Sequence, residues 1–332
     1  MVWRMLTAKF RTKPDVLLIG ECRCGTTTLA ALLRSHLRFN GPFTPWIHPL
    51  ANEKESFFFS GHYWGIVRPN LYRLCFPLEI VCKFQAYFGR RRLNFDGCAS
   101  YLSSPWVPRL VKQCVPECVI IVCVREPISQ HISWWNLEQG SMQWAESLGL
   151  GRVYHGAPQR IDYPPTTLRQ SVELSQDPRV AAMWSKAENL IIGENFDGRL
   201  PKWAMPFPNG QLSAFDRMGR FADNIERWQR YYGPDCFVFV ELDELSKEPQ
   251  GVLNRIAAAC GRIVNVEPKV LQILGGAAPR LNKSPEASSA DFLDANLVRK
   301  LAECYRPHNE RLFRLIGRDL GWHNDPRYPY YM

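Results

Sequence analysis

Several things are missing from this chain of 332 residues. No run of about 18 apolar residues occurs, which excludes a transmembrane helix. The first residues, Met1 to Lys13, are basic and mixed and lack the apolar core of a signal peptide. As encoded, the chain reads as soluble and cytoplasmic, with no membrane segment. No paired cysteine motif has zinc-ribbon spacing: Cys22-x-Cys24 and Cys114-x-x-x-Cys118 stand without partner pairs, so no metal is expected. There is no internal repeat. Arg90-Arg91-Arg92 is too short for a nucleic-acid stripe and has no finger or RNA-binding motif beside it, so no nucleic-acid partner is expected. One further absence, a lysine after a glycine, matters more than these.

What is present is a basic, apolar-rich chain. Lys and Arg total 41 against 32 Asp and Glu, a net charge of +9, which favours an anionic ligand or substrate. Hydrophobic residues make up 46%, enough for a sizeable core. The eleven cysteines are odd in number, and Cys82, Cys123 and Cys260 sit in apolar stretches where cysteine serves as a small core residue. Any disulfide connectivity is unreadable from spacing alone.

Residues 15 to 33 are the most informative stretch. Val16 to Ile19 read as a buried strand, Gly20 to Gly25 as a tight loop, and Thr26, Thr27 and Thr28 open a segment with apolar residues at helical spacing (Leu29, Leu32, Leu33). A strand, a glycine-bounded loop and a helix start form an anion cradle, because loop N–H groups and the helix N-terminus aim at one point. A Walker loop needs Lys directly after its second glycine to reach the outer phosphates. Here that residue is Thr26, and the cation of the loop is Arg23. The second strongly apolar run, Val119 to Val124, ends in Arg125 rather than in a carboxylate for magnesium. Ordinary ATP hydrolysis is therefore disfavoured, although a phosphate-bearing ligand is expected.

The rest of the pattern alternates strands with helices. Residues 26–36, 107–113, 127–138, 221–232 and 250–260 read as helices, and 118–124 and 237–240 as strands. Residues 293–316 read as a helix pair broken near Pro307, with Trp322 closing the core. This predicts an α/β fold with a central, mostly parallel sheet flanked by helices in three layers, P-loop-like in its first turn. Residues 14–323 read as one domain, with tails at 1–13 and 324–332 and a long irregular insert at about 140–215. In such sheets ligands bind at the carboxyl ends of the strands. Arg125 stands at one such end, with a rigid fork suited to phosphate. Pro127 starts the next helix, and Ser133 lies two turns along it, where its hydroxyl is able to join Arg125 on one phosphate.

At this point the chain resembles the sulfotransferases that use 3′-phosphoadenosine 5′-phosphosulfate, and within them the carbohydrate type acting on heparan sulfate (N- and 3-O-sulfotransferases). Ile19 to Leu29 looks like the loop that binds the 5′-phosphosulfate, and Val124-Arg125-Glu126-Pro127 through Ser133 like the segment that binds the 3′-phosphate. Glu55 to Phe59, followed by Gly61-His62-Tyr63, looks like the stretch carrying the catalytic base. Ser100 to Pro108, Arg227 to Pro249 and Tyr305 to Trp322 resemble later family segments in the family's order. Three positions and one loop depart from the pattern. Arg23 stands for a lysine, Gly97 for a second lysine near the acceptor, and Gln130 for an arginine. A late nucleotide-covering loop is represented only by Arg280 to Ser284, with Lys283 as its cation.

The resemblance implies an enzyme that moves a sulfuryl group from 3′-phosphoadenosine 5′-phosphosulfate, without a metal, to a hydroxyl or amino group of a glycosaminoglycan-like carbohydrate. It assigns the donor to Arg23, Cys24, Gly25, Thr26, Thr27, Thr28, Arg125, Ser133 and Lys283. Arg23 also acts in catalysis, and Glu55 is the base, with His62 and His48 as competitors for that role. Lys83, Arg90 to Arg92, Trp134 and Trp135 are candidates for the acceptor cleft, the two tryptophans being equally readable as core. It also implies residence in the Golgi lumen if the chain is part of an anchored protein. The other readings are a sulfotransferase for a small metabolite, a P-loop kinase or NTPase, and a non-catalytic nucleotide-binding relative.

Overall fold

The computed structural model describes residues 2–43, 54–59, 69–147, 153–154, 157–158, 218–273 and 295–332, without the side chains of 69–70, 138–147 and 153–158. The chain divides into two compact units. The first comprises Met1–Val124, Asp197–Arg199 and Arg227–Leu281; the second comprises Arg125–Phe196, Leu200–Glu226 and Asn282–Met332.

The first unit is built on four parallel strands: β1 (Val16–Leu18), β2 (Phe95–Asp96), β3 (Val119–Val124) and β4 (Phe237–Glu241). Their spatial order is β2-β1-β3-β4, with Leu17 opposite both Asp96 and Ile120, and Cys123 opposite Val240. All six residues of β3 are buried, as its unbroken apolar run requires when both faces of a parallel strand are covered. Each such fully buried aliphatic side chain contributes about 1.5–3 kcal/mol. The helix Pro249–Val264 packs on β3 and β4 through Val252, Leu253, Ile256 and Cys260, and also meets the helix Thr26–His36. Pro249 occupies its first turn, where a missing N–H costs nothing, and Asn265 ends it in the left-handed region at φ 53°.

The second unit centres on two long helices in contact, Pro127–Ser147 and Ala295–Ile316. Here the structure corrects two expectations. The helix that begins at Pro127 runs nine residues past 138, to Ser147, so the first part of the expected irregular insert is helical. The predicted break near Pro307 does not occur, and Pro307 lies inside one helix of 22 residues. The proline removes one backbone bond, but Leu297, Leu301, Ala302, Tyr305, Asn309 and Leu312 are buried along one stripe that spans it. Packing on both sides of the proline outweighs the lost bond. Trp322 is buried and meets Phe313 edge-on at 5.5 Å, as expected of a core residue. All eleven cysteines are free thiols.

Candidate active site

The loop after β1 has the geometry that its glycines demand. A Cβ on Gly20 would lie 2.3 Å from the backbone nitrogen of Cys123, so only glycine lets the loop leave the sheet against β3. Gly25 caps the helix Thr26–His36 at φ 84°, a left-handed conformation that costs an L-residue strain. Arg23 is also left-handed, at φ 65°, and is half-buried. Cys24 is wholly buried, its thiol turned back towards the carbonyl of Cys22 at 3.6 Å, which makes it a packing residue of the loop. Gly25 offers the helix no side-chain cap, so the first-turn N–H groups of Thr26 to Thr28 belong to the loop's concave side.

The principal surprise is Lys54. Its ammonium donates to Thr26 Oγ1 at 3.0 Å, to Thr27 Oγ1 at 3.5 Å and to Glu55 Oε1 at 2.8 Å. The expected base and the phosphate-loop hydroxyls are therefore tied together by one cation. Glu55 Oε1 also accepts from the backbone N–H of Ala99 at 3.3 Å. A lysine within a Glu-Lys-Glu run reads as a solvated surface charge, so nothing local singles it out. Gly97 supplies the missing signal. A Cβ there would come within 3.1 Å of Lys54 Cγ and 3.2 Å of its carbonyl oxygen, and Gly97 N–H donates to that carbonyl at 2.7 Å. A side chain at position 97 would press on Lys54, so glycine there gives Lys54 its space.

A buried hub holds this segment in place. Asp96, the last residue of β2, accepts from Ser56 N–H at 3.0 Å, Ser56 Oγ at 2.6 Å, Tyr72 Oη at 2.8 Å and Tyr101 Oη at 3.1 Å. Burial pushes the Asp96 carboxyl up, and these donors offset only part of that rise. Phe58 and Phe59 are core residues, packed on Tyr72 with ring centroids 5.0 and 4.6 Å away. Glu55 thus projects from a segment fixed one residue later by a saturated carboxylate.

The loop contains a second acid. Glu21 is wholly buried, accepts from Cys22 N–H at 3.3 Å through Oε1, and has no hydrogen-bond partner at Oε2 among the described residues. Burial pushes its carboxyl up to about 8, against smaller opposing effects from Ser103 and the Cys22 N–H. The loop after β1 therefore carries a buried carboxyl that keeps its proton at neutral pH.

In the second unit, Arg125 directly follows the last residue of β3 and is half-buried, as is Ser133. Between them Glu126 is wholly buried and caps the helix that starts at Pro127, accepting from Ile128 N–H at 2.9 Å and Ser129 N–H at 2.6 Å. The same carboxylate accepts from Tyr330 Oη at 2.8 Å and Tyr331 Oη at 2.9 Å, which pins residues 329–331 onto the helix start. Trp134, Trp135 and Gln130 are all buried. Of the two readings of the tryptophans, the structure favours core. Lys283, His48 and His62 lie outside the described residues.

A model of the family described as "Sulfotransferase domain" matches residues 13–274, about four fifths of the chain. The chain belongs to this sulfotransferase family. Among its curated relatives, human heparan sulfate glucosamine 3-O-sulfotransferase 6 is 23% identical over 327 residues, covering 94% of this chain and 74% of the relative. The bifunctional heparan sulfate N-deacetylase/N-sulfotransferase 1 of Caenorhabditis elegans is 21% identical over 247 residues, covering 74% of this chain and 22% of that much longer protein. Among solved structures, a sulfotransferase from Alicyclobacillus acidocaldarius superposes with a TM-score of 0.53 at 16% identity, covering 93% of this chain and 98% of that one. At that identity the likeness establishes the fold alone, an α/β P-loop-like sulfotransferase fold. The first loop and the segments around Lys54–Glu55 and Arg125 all lie inside the matched region.

Proposed function

We propose that this sulfotransferase moves a sulfuryl group from 3′-phosphoadenosine 5′-phosphosulfate to a hydroxyl or amino group of a glycosaminoglycan-like carbohydrate. The observation that carries the reading is the Lys54 bridge between the Thr26 and Thr27 hydroxyls and Glu55, because it sets a base beside an anion cradle. The acceptor oxygen or nitrogen attacks sulfur in line. The bond from sulfur to the 5′-phosphate oxygen breaks, and Glu55 takes the acceptor's proton. Charge grows on the leaving phosphate, where Arg23, the threonine hydroxyls and the helix N-terminus neutralise it. Lys54 supplies there the positive charge that Gly97 does not, and its bond to Glu55 keeps the carboxylate oriented until the acceptor arrives. Arg125 and Ser133 hold the 3′-phosphate, which separates this donor from ATP, and Lys283 covers the nucleotide. The carbohydrate acceptor is supported by the names of the relatives, which sulfate heparan sulfate.

The test is transfer of labelled sulfuryl from the donor to N-sulfated and N-desulfated heparan oligosaccharides, beside a panel of phenols and amines. Label in the oligosaccharides, lost in Glu55→Gln, is the expected result. Label only in the small acceptors would refute the carbohydrate reading, and no label in any acceptor would refute the activity.

A further inference from the structure

Among the described residues of the first unit, the exposed large apolar residues other than Phe43 are gathered in two short segments. The helix Glu79–Tyr87 has no buried residue. It and the residue after it present Ile80, Phe84, Tyr87 and Phe88 to solvent at 68, 65, 85 and 56% exposure. These positions follow i, i+4, i+7, i+8, a single helical face directed away from the core. The helix Val2–Leu6 likewise buries nothing and exposes Val2, Trp3, Met5 and Leu6, with Phe10 exposed just beyond. The two segments are anchored to one stretch of chain. Arg4 donates to the carbonyl of Leu74, Thr12 N–H donates to that of Pro77 at 2.9 Å, and Arg11 bridges to Leu78, the residue that caps the second helix.

The charge around these residues is predominantly positive. Residues 2–13 contain Arg4, Lys9, Arg11 and Lys13 and no acid, and residues 79–92 contain Lys83 and Arg90 to Arg92 against one acid, Glu79. Glu79 lies 3.7 Å from Arg73, and Arg91 is paired with Asp15 at 3.3 Å, which leaves Lys9, Lys83, Arg90 and Arg92 exposed beside the aromatic face. We infer that this surface docks the protein peripherally onto an anionic lipid bilayer, with Trp3, Phe84, Tyr87 and Phe88 in the headgroup layer and the cations on lipid phosphates and carboxylates. Protruding aromatics of this kind suit the membrane–water interface, and a surface with Lys and Arg beside an apolar face binds there by burial and charge together. A second copy fits poorly, because a two-fold contact would set Lys83, Arg90 and Arg92 against their own equivalents. Among the described residues no helix is long and apolar enough to cross a membrane, so the contact is with its surface. The inference does not depend on the reaction proposed above.

Vesicle flotation tests it, using the full chain with phosphatidylcholine vesicles and with vesicles of about one third phosphatidylserine. The expected result is partition onto the anionic vesicles that weakens with salt. It should fall tenfold or more in Phe84→Asp and in Tyr87→Asp. Arg90→Gln with Arg92→Gln should lower it roughly 25-fold, about fivefold for each cation. Thermal melting serves as the control for folding, since none of these side chains is buried. Partition that is absent, or equal in all variants, would overturn the inference. So would a wild-type dimer that Phe84→Asp turns into a monomer. Retention on heparin that needs Arg90 and Arg92, without any vesicle binding, would instead make this a polysaccharide surface.

Discussion

Glu21 offers the sharpest physical test of the first loop. Its carboxyl is wholly buried and holds its proton up to about pH 8, whereas in the unfolded chain it gives that proton up near 4.5. Below about 4.5 both states are protonated and pH does not matter. Between 4.5 and about 8 the unfolded state has lost the proton and the native state has kept it, so stability falls as pH rises. The slope is about 1.4 kcal/mol per pH unit, and the whole interval is worth roughly 3 to 5 kcal/mol. Above about 8 the native state ionises too and the fall levels off. Glu21→Gln removes this component while keeping the shape of the side chain. Urea unfolding at a series of pH values should give nearly equal stabilities for wild type and variant at pH 4, diverging to a gain of several kcal/mol for the variant at pH 9. A second consequence is functional. Ionised Glu21 places a negative charge inside the loop proposed to hold the donor's phosphosulfate, so affinity for 3′,5′-adenosine diphosphate should fall above about pH 8 in wild type and stay level in the variant. Parallel stability profiles for the two proteins would refute the reasoning, because they would mean that Glu21 is ionised in the fold at neutral pH.

Further predictions concern the reacting groups and the second unit. Glu55→Gln should leave bisphosphate affinity intact and lower kcat by a factor of about 100 or more, the scale of a lost general base; a variant with wild-type kcat would send the search for the base to His62 and His48. Lys54→Ala should lower kcat and weaken binding of the bisphosphate, with partial recovery in Lys54→Arg, and rapid-quench kinetics beside calorimetry would show whether both change. Arg125→Ala should weaken bisphosphate binding by about 2 kcal/mol, roughly thirtyfold, as for a charge-assisted bond. The loss should vanish when the ligand is adenosine 5′-phosphate, which lacks the group that Arg125 is proposed to hold. Glu126→Ala strips four donors of a buried acceptor and should cost about 3 kcal/mol or more of stability, read by thermal unfolding, with Glu126→Gln recovering part of it.

Much of this architecture was readable where local chemistry and tertiary packing agree. The first strand, the loop and the helix Thr26–His36 follow from an apolar run, two glycines and helical spacing, and the structure places that helix on the expected residues. The strand Val119–Val124 has no polar interruption and admits little else. The second strand, Phe95–Asp96, was not readable, because two residues show no period and its identity comes only from pairing with β1. Pro307 misled for the opposite reason: a strong local breaker is overridden by a buried stripe that extends on both sides of it. At the site, Glu55 was legible through its segment's resemblance to a family. Lys54 was not, since its role depends on space left by Gly97, which lies 43 residues further along the chain. Asp96 carries no motif, and Glu126 stands within the Arg125 segment with nothing local to mark its own role. Each is a buried carboxylate whose importance lies in donors contributed by distant tyrosines and by backbone.

The central claim is that the nucleotide held here is one with a 3′-phosphate. Isothermal titration of the protein with 3′,5′-adenosine diphosphate, beside ATP with magnesium, tests it most directly. The account predicts saturable, metal-independent binding of the bisphosphate and far weaker binding of ATP. Tight binding of ATP with magnesium, and none of the bisphosphate, would contradict it.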